Sequence, residues 1–118
     1  MADELIYRSV KQLAQARPSG TSAVSAYACP AATQAVVTTI IICNTTGSNV
    51  NASIYVDVDG TTYDATTAIM MASVVAANTM LMIEFANGLP MNKNTAGNIA
   101  VQSSTGNALT FTINGIAS

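Results

Sequence analysis

Apolar and polar positions follow two different periods along this chain. Residues 3–16 carry Leu5, Ile6, Val10 and Leu13; positions 6, 10 and 13 share one helical face, and Asp3 is placed to cap the first turn. Pro18 ends any helix, because its ring disfavours helical geometry in the residue before it. Residues 1–17 therefore read as a short helix or an extended arm leaving the body. Its roles are to cover an open sheet edge or to dock onto a partner through Leu5, Ile6, Arg8, Val10, Lys11 and Leu13.

From Gly20 the period falls to two. Residues 21–28 form a weak strand ending at Cys29-Pro30. Residues 35–44 are rich in Val, Ile and Thr, whose branched side chains fit a pleated surface. Strict alternation puts Val36, Thr38, Ile40 and Ile42 on one face and Val37, Ile41 and Cys43 on the other. A strand apolar on both faces is covered on both; the second cover is a terminal arm or a neighbouring subunit. Residues 52–59 alternate cleanly, with Ile54, Val56 and Val58 opposite Ser53, Tyr55, Asp57 and Asp59. The turn-rich spacer between these runs predicts an antiparallel hairpin with a longer loop.

Asp59-Gly60 is a tight-turn pair leading into a strand start at 61–63. The apolar run 69–75 takes its strand assignment from its neighbours. Residues 80–85 place Leu81, Ile83 and Phe85 on one face and Met80, Met82 and Glu84 on the other, before Asn87-Gly88-Leu89-Pro90 breaks the run. Residues 98–103 and 108–114 form a second hairpin around 104–107, with Leu109, Phe111 and Ile113 on one face. Seven or eight short strands at this spacing predict an all-β fold, an antiparallel β-sandwich of jelly-roll or Ig-like type over residues 18–118.

Composition sharpens this picture. The 118 residues suit one domain able to bury a core without metals or disulfides. Half the chain is hydrophobic, yet only 8% is charged, against about 25% in ordinary soluble domains. Residues 1–17 set Arg8, Lys11 and Arg17 against Asp3 and Glu4, a net +1; the remainder sets Lys93 against Asp57, Asp59, Asp64 and Glu84, a net −3. A surface of Thr, Ser and Asn suits packed assemblies, where buried charge is costly, or is simply a neutral surface. Met80 and Met82, opposite the expected core face, join Val37, Ile41 and Cys43 as candidate subunit contacts, since Met adapts to irregular interfaces.

Several chemistries find no support. Without histidine there is no His-based triad or general base. Four basic residues and a pI near 4.5 leave no footprint for nucleic acid. The longest apolar run, 69–77, is about half a membrane span, and the first residues lack the basic region of a signal peptide. Asp57, Asp59 and Asp64 around Gly60 form either a Ca²⁺-binding string or, the preferred reading, a turn with outward acids. Asn44-Thr-Thr46 and Asn51-Ala-Ser53 match glycosylation sequons, read as chance matches in an Asn/Thr-rich chain without a signal peptide. Cys29 and Cys43 read as buried thiols, with a disulfide left open by their spacing. No enzyme activity, cofactor or metal is expected.

Three strings carry a family resemblance: Leu13-Ala-Gln followed by Pro18; Tyr27-Ala-Cys-Pro-Ala-Ala-Thr-Gln-Ala-Val-Val37 with Ile42-Cys-Asn44; and the run from Ile99 to Gly115. Together they resemble small β-sandwich virion proteins of tailed bacteriophages. The resemblance implies a non-enzymatic capsid decoration (cement) protein on the capsid surface, a homotrimer bound to the phage major capsid protein and made in the host bacterial cytoplasm. It implies, as alternatives, a tail, neck or fibre component or a receptor- or sugar-binding module of the particle.

Overall fold

The computed structural model describes residues 10–29, 35–57, 60–91 and 97–117. Eight strands occur among them: β1 (Lys11–Ala16), β2 (Val24–Ala28), β3 (Ala35–Asn44), β4 (Val50–Asp57), β5 (Ala68–Val75), β6 (Met80–Met91), β7 (Asn98–Ser103) and β8 (Leu109–Ala117). They make two four-stranded sheets, ordered β1-β8-β3-β6 and β2-β7-β4-β5, with every pair antiparallel. The all-β sandwich expected from the strand spacing is present. Its 4 + 4 order, with β8 inserted between β1 and β3 and β7 between β2 and β4, is that of a jelly roll and not of an Ig domain.

The core lies between the sheets. Ile40, Ile42, Leu109, Phe111 and Ile113 from the first sheet and Val50, Ile54, Ile99 and Val101 from the second are at most 2% exposed. Each set alternates along its strand, as a sheet with one inner face requires.

Several local expectations are corrected. The runs 35–44 and 52–59 are not hairpin partners: β3 pairs with β6 and β8, whereas β4 pairs with β5 and β7. The runs 98–103 and 108–114 likewise belong to opposite sheets. Both spacers are corners that carry the chain from one sheet to the other. Only β4 and β5 are consecutive and also paired. Residues 61–63 form no strand, because the amides of Thr61 and Thr62 donate to Asp57 Oδ2, each at 2.7 Å. Asn87-Gly88-Leu89-Pro90 does not end its strand. Between the pairs Val37–Leu89 and Thr39–Glu84, β6 sets residues 85–88 opposite the single residue Thr38, with Gly88 at φ 76° among them. Pro90 is accommodated because β6 is an edge strand.

Residues 11–16, expected in a helix or arm, are strand β1, hydrogen-bonded along β8. Leu13 is the extra residue of a bulge between Gln12 and Ala14, and this half-buried side chain packs on the core. The space it needs comes from Gly115. A Cβ at Gly115 would stand 2.9 Å from Leu13 Cδ1 and closer still to the Val36 carbonyl oxygen. Leu13, the last position of the apparent helical spacing, thus sits at a bulge of an edge strand.

Candidate functional site

On the outer face of the first sheet, register brings four sequence-distant side chains together. Ile41 stands opposite Met82, and Cys43 opposite Met80, on β3 and β6. Directly opposed residues of an antiparallel pair lie close enough for side-chain contact. Met80 is 55% and Met82 45% exposed, while Ile41 and Cys43 are half-buried. The β8 neighbours of Ile41 and Cys43 are Thr112 and Thr110. Toward β1 the face becomes polar: Gln15 Nε2 donates to Thr112 Oγ1 at 3.0 Å and Arg17 donates to Thr110 Oγ1 at 3.1 Å. The result is an apolar patch at the β3/β6 side of a largely uncharged face, bordered by Glu84, whose cross-strand neighbour is Thr39.

Val37 does not belong to this patch. It was expected beside Ile41 and Cys43 but is fully buried in the core. A bulge at Thr38, between the pairs Val37–Gly115 and Thr39–Asn114, inserts one residue and reverses the alternation. Val37 therefore points inward together with Ile40 and Ile42. Of the other predicted contact residues, Leu5, Ile6 and Arg8 lie outside the described residues. Val10 is 54% exposed just before β1, Lys11 is exposed at its start, and Leu13 packs on the core.

The structure adds apolar residues that sequence reasoning did not single out. Ile69, Met71 and Val74 on β5 are 47, 53 and 60% exposed. The turn 76–79 joins β5 to β6, so the two edge strands border the same flank of the sandwich. In sequence, residues 69–75 show only an apolar run; two bulges in β5 break its alternation and hide which residues face outward.

The corner between β3 and β4 is held by Asn44, which is 1% exposed. Its Nδ2 donates to the carbonyls of Ser48 (2.8 Å) and Val75 (2.9 Å), and its Oδ1 accepts from the Thr46 amide (2.9 Å) and hydroxyl (2.8 Å). An amide so occupied is closed to glycosylation; Asn51, the other sequon residue, is exposed. Neighbouring corners are tied together by backbone bonds, Asn78 N to Thr46 O, Thr45 N to Ala108 O and Asn107 N to Pro18 O.

Asp57 and Asp64 hold a loop. Asp57 is 8% exposed and receives the two threonine amides. Asp64 accepts from the Thr66 hydroxyl and amide, and these bonds hold its carboxyl below the ordinary carboxylate range. Asp59 lies outside the described residues. Among the described residues, no group of three or more His, Cys, Asp or Glu side chains could hold a metal ion. Cys29, buried, and Cys43, on the outer face, are both thiols. Burial, with a smaller contribution from Cys29, raises the Tyr27 hydroxyl above its ordinary value.

No family model matches the sequence, and no curated protein matches it. Among solved structures, the chain is similar to a chain in the crystal structure of the T13 viral particle of IBDV, with a TM-score of 0.52 and 13% identity, covering 91% of this chain and 28% of that one. It also resembles a chain in the structure of the infectious bursal disease virus Gx strain, with a TM-score of 0.49 and 10% identity, covering 90% and 32%. This chain therefore spans about a third or less of the length of the virus chains it matches. What is shared with the T13 particle chain is the fold.

Proposed function

We propose that this chain is a non-enzymatic structural protein of a virus particle, and specifically a decoration (cement) protein that bridges neighbouring capsid subunits of a tailed bacteriophage. The observation that carries this reading is the apolar patch of Ile41, Cys43, Met80 and Met82 at the β3/β6 side of the outer face of the β1-β8-β3-β6 sheet, a face whose charges, Glu84 and Arg17, lie outside the patch. Large exposed apolar patches on soluble proteins mark association surfaces, and this one can be covered without burying a charge. Jelly rolls are a frequent architecture of viral capsid domains, and the fold is shared with a chain of an icosahedral virus particle. Fold alone does not assign function; the neutral apolar face adds the site-level support.

In this reading the protein forms a homotrimer and binds the major capsid protein through such neutral surfaces. Several weak contacts on one oligomer make each later attachment intramolecular, which turns modest affinity into lasting attachment. Quantitative mass spectrometry of purified particles tests the assignment. A copy number comparable with that of the shell protein is expected. A much smaller number would indicate a tail, neck or fibre part, and absence from particles would overturn the virion role.

A further inference from the structure

The opposite outer face, on the β2-β7-β4-β5 sheet, contains a groove. It forms where β5 departs from regular pairing. The register passes from Ala52–Ser73 to Ile54–Met70, so Met71 and Ala72 together face the single residue Ser53. Ala72 takes the left-handed backbone conformation, φ 52°, which turns its amide toward the Ser53 side chain; Ser53 Oγ accepts that N–H at 2.9 Å. The volume above this bulge is about 270 Å³.

The polar side chains lining it, Asn51, Ser53, Tyr55 and Gln102 with Thr21 and two serines, are all uncharged. Their positions are fixed from behind. Tyr55 Oη donates to Gln102 Oε1 at 2.5 Å, and Gln102 Nε2 donates to the Thr21 carbonyl at 2.9 Å. Ser104 Oγ accepts the backbone N–H of Asn51 at 2.9 Å. The Ser53 and Ser104 oxygens thus act as acceptors toward the protein, and a hydroxyl that accepts still has its own proton to give. Met71, 53% exposed, supplies an apolar wall.

This lining selects a ligand class. An ion would lose hydration with no counter-charge among the lining groups to replace it. A wholly apolar molecule would leave the hydroxyls and amides without partners. A neutral ring with hydroxyls on its edge and C–H groups on one face satisfies both kinds of surface. The volume lies just under the roughly 300–1,000 Å³ of sites for drug-sized ligands, which suits a single ring. We propose that the groove between the β5 bulge, Gln102 and Asn51 binds one neutral sugar residue.

The test is a titration of the ¹⁵N-labelled full chain, separately with glucose, galactose, mannose, rhamnose and N-acetylglucosamine, followed by amide shifts. At least one sugar is expected to give saturable shifts at Asn51, Ala72, Gln102 and Ser104. Asn51→Ala and Met71→Ala, both at exposed positions, are expected to raise its Kd about tenfold or more while leaving the thermal midpoint unchanged. Sialic acid and glucuronic acid are expected to bind at least about tenfold more weakly than the neutral sugar. The site is overturned if no neutral sugar shifts these amides, if the charged sugars bind as well, or if binding survives both substitutions. The copy number in particles bears on the virion role and leaves this result independent.

Discussion

Asn44 Nδ2 donates a hydrogen bond of 2.9 Å to the carbonyl of Val75, joining the end of β3 in one sheet to the end of β5 in the other. With the Ser48 and Thr46 bonds, a single buried amide serves three backbone groups and a hydroxyl at the corner. Asn44→Ala leaves these groups without their partner. The expected loss is about 2–4 kcal/mol, from several stranded polar groups at roughly 1–3 kcal/mol each, partly relieved by water. Asn44→Asp removes both donor bonds and buries a charge, and should cost at least as much. Urea unfolding measures both; a loss below about 0.5 kcal/mol, the scale of ordinary surface substitutions, would show that the corner does not depend on Asn44.

Gly115 is where β1 is admitted to the sandwich. A methyl group there would overlap the Val36 carbonyl oxygen and Leu13 Cδ1, both well inside van der Waals contact. Gly115→Ala should destabilise the fold by about 1–3 kcal/mol or more, as overpacking does. Leu13→Ala in the same chain should recover only a small part, because the shortest contact is with backbone. A double-mutant cycle by chemical denaturation separates the two contributions.

The two faces of β3 give a paired prediction. Met80→Glu with Met82→Glu places charge on the apolar outer face and should convert the proposed oligomer to monomer without unfolding it, as read by analytical ultracentrifugation and circular dichroism. Val37→Ala should do the reverse: it removes about 2 kcal/mol of stability through lost burial and a cavity and leaves the association state unchanged. Had the alternation of 35–44 been unbroken, Val37 would have behaved like Ile41.

The Asp64 carboxylate is favoured in the folded chain by its Thr66 bonds, so its folded pKa lies below its unfolded one. Stability from this source is present above the unfolded value, near pH 4, and is lost as pH falls through the folded value. Asp64→Asn should therefore flatten part of the decline in stability below about pH 4, with little effect on the slope at neutral pH. Thermal midpoints of both proteins across that range provide the check.

Strand positions were largely legible from alternation and composition: 35–44 and 98–103 coincide with β3 and β7. The patch of Ile41, Cys43, Met80 and Met82 was legible because each residue lies on a regular stretch. Three things were not. The bulges at Leu13 and Thr38 each insert a residue, which interrupts the alternation of β1 and puts Val37 on the wrong face. The pairing was hidden because turn residues such as those at 45–49 and 104–107 signal a change of direction, but not whether the chain stays in its sheet. The groove depends on the left-handed Ala72, a conformation that nothing in an alanine announces.

The insertion of β8 between β1 and β3 orders events during synthesis. The first strand has no lateral neighbour until residues 109–117 have left the ribosome, and β3 until then has only β6 beside it. Among the described strands only β4 with β5 pair as neighbours in sequence, so the nascent chain spends most of its translation with open strand edges and uncovered isoleucines. Non-local pairing of this kind is slow and exposes the chain to aggregation. With this topology a surface poor in charge favours association only after closure; before it, the same lack of charge leaves little to hold unfinished copies apart.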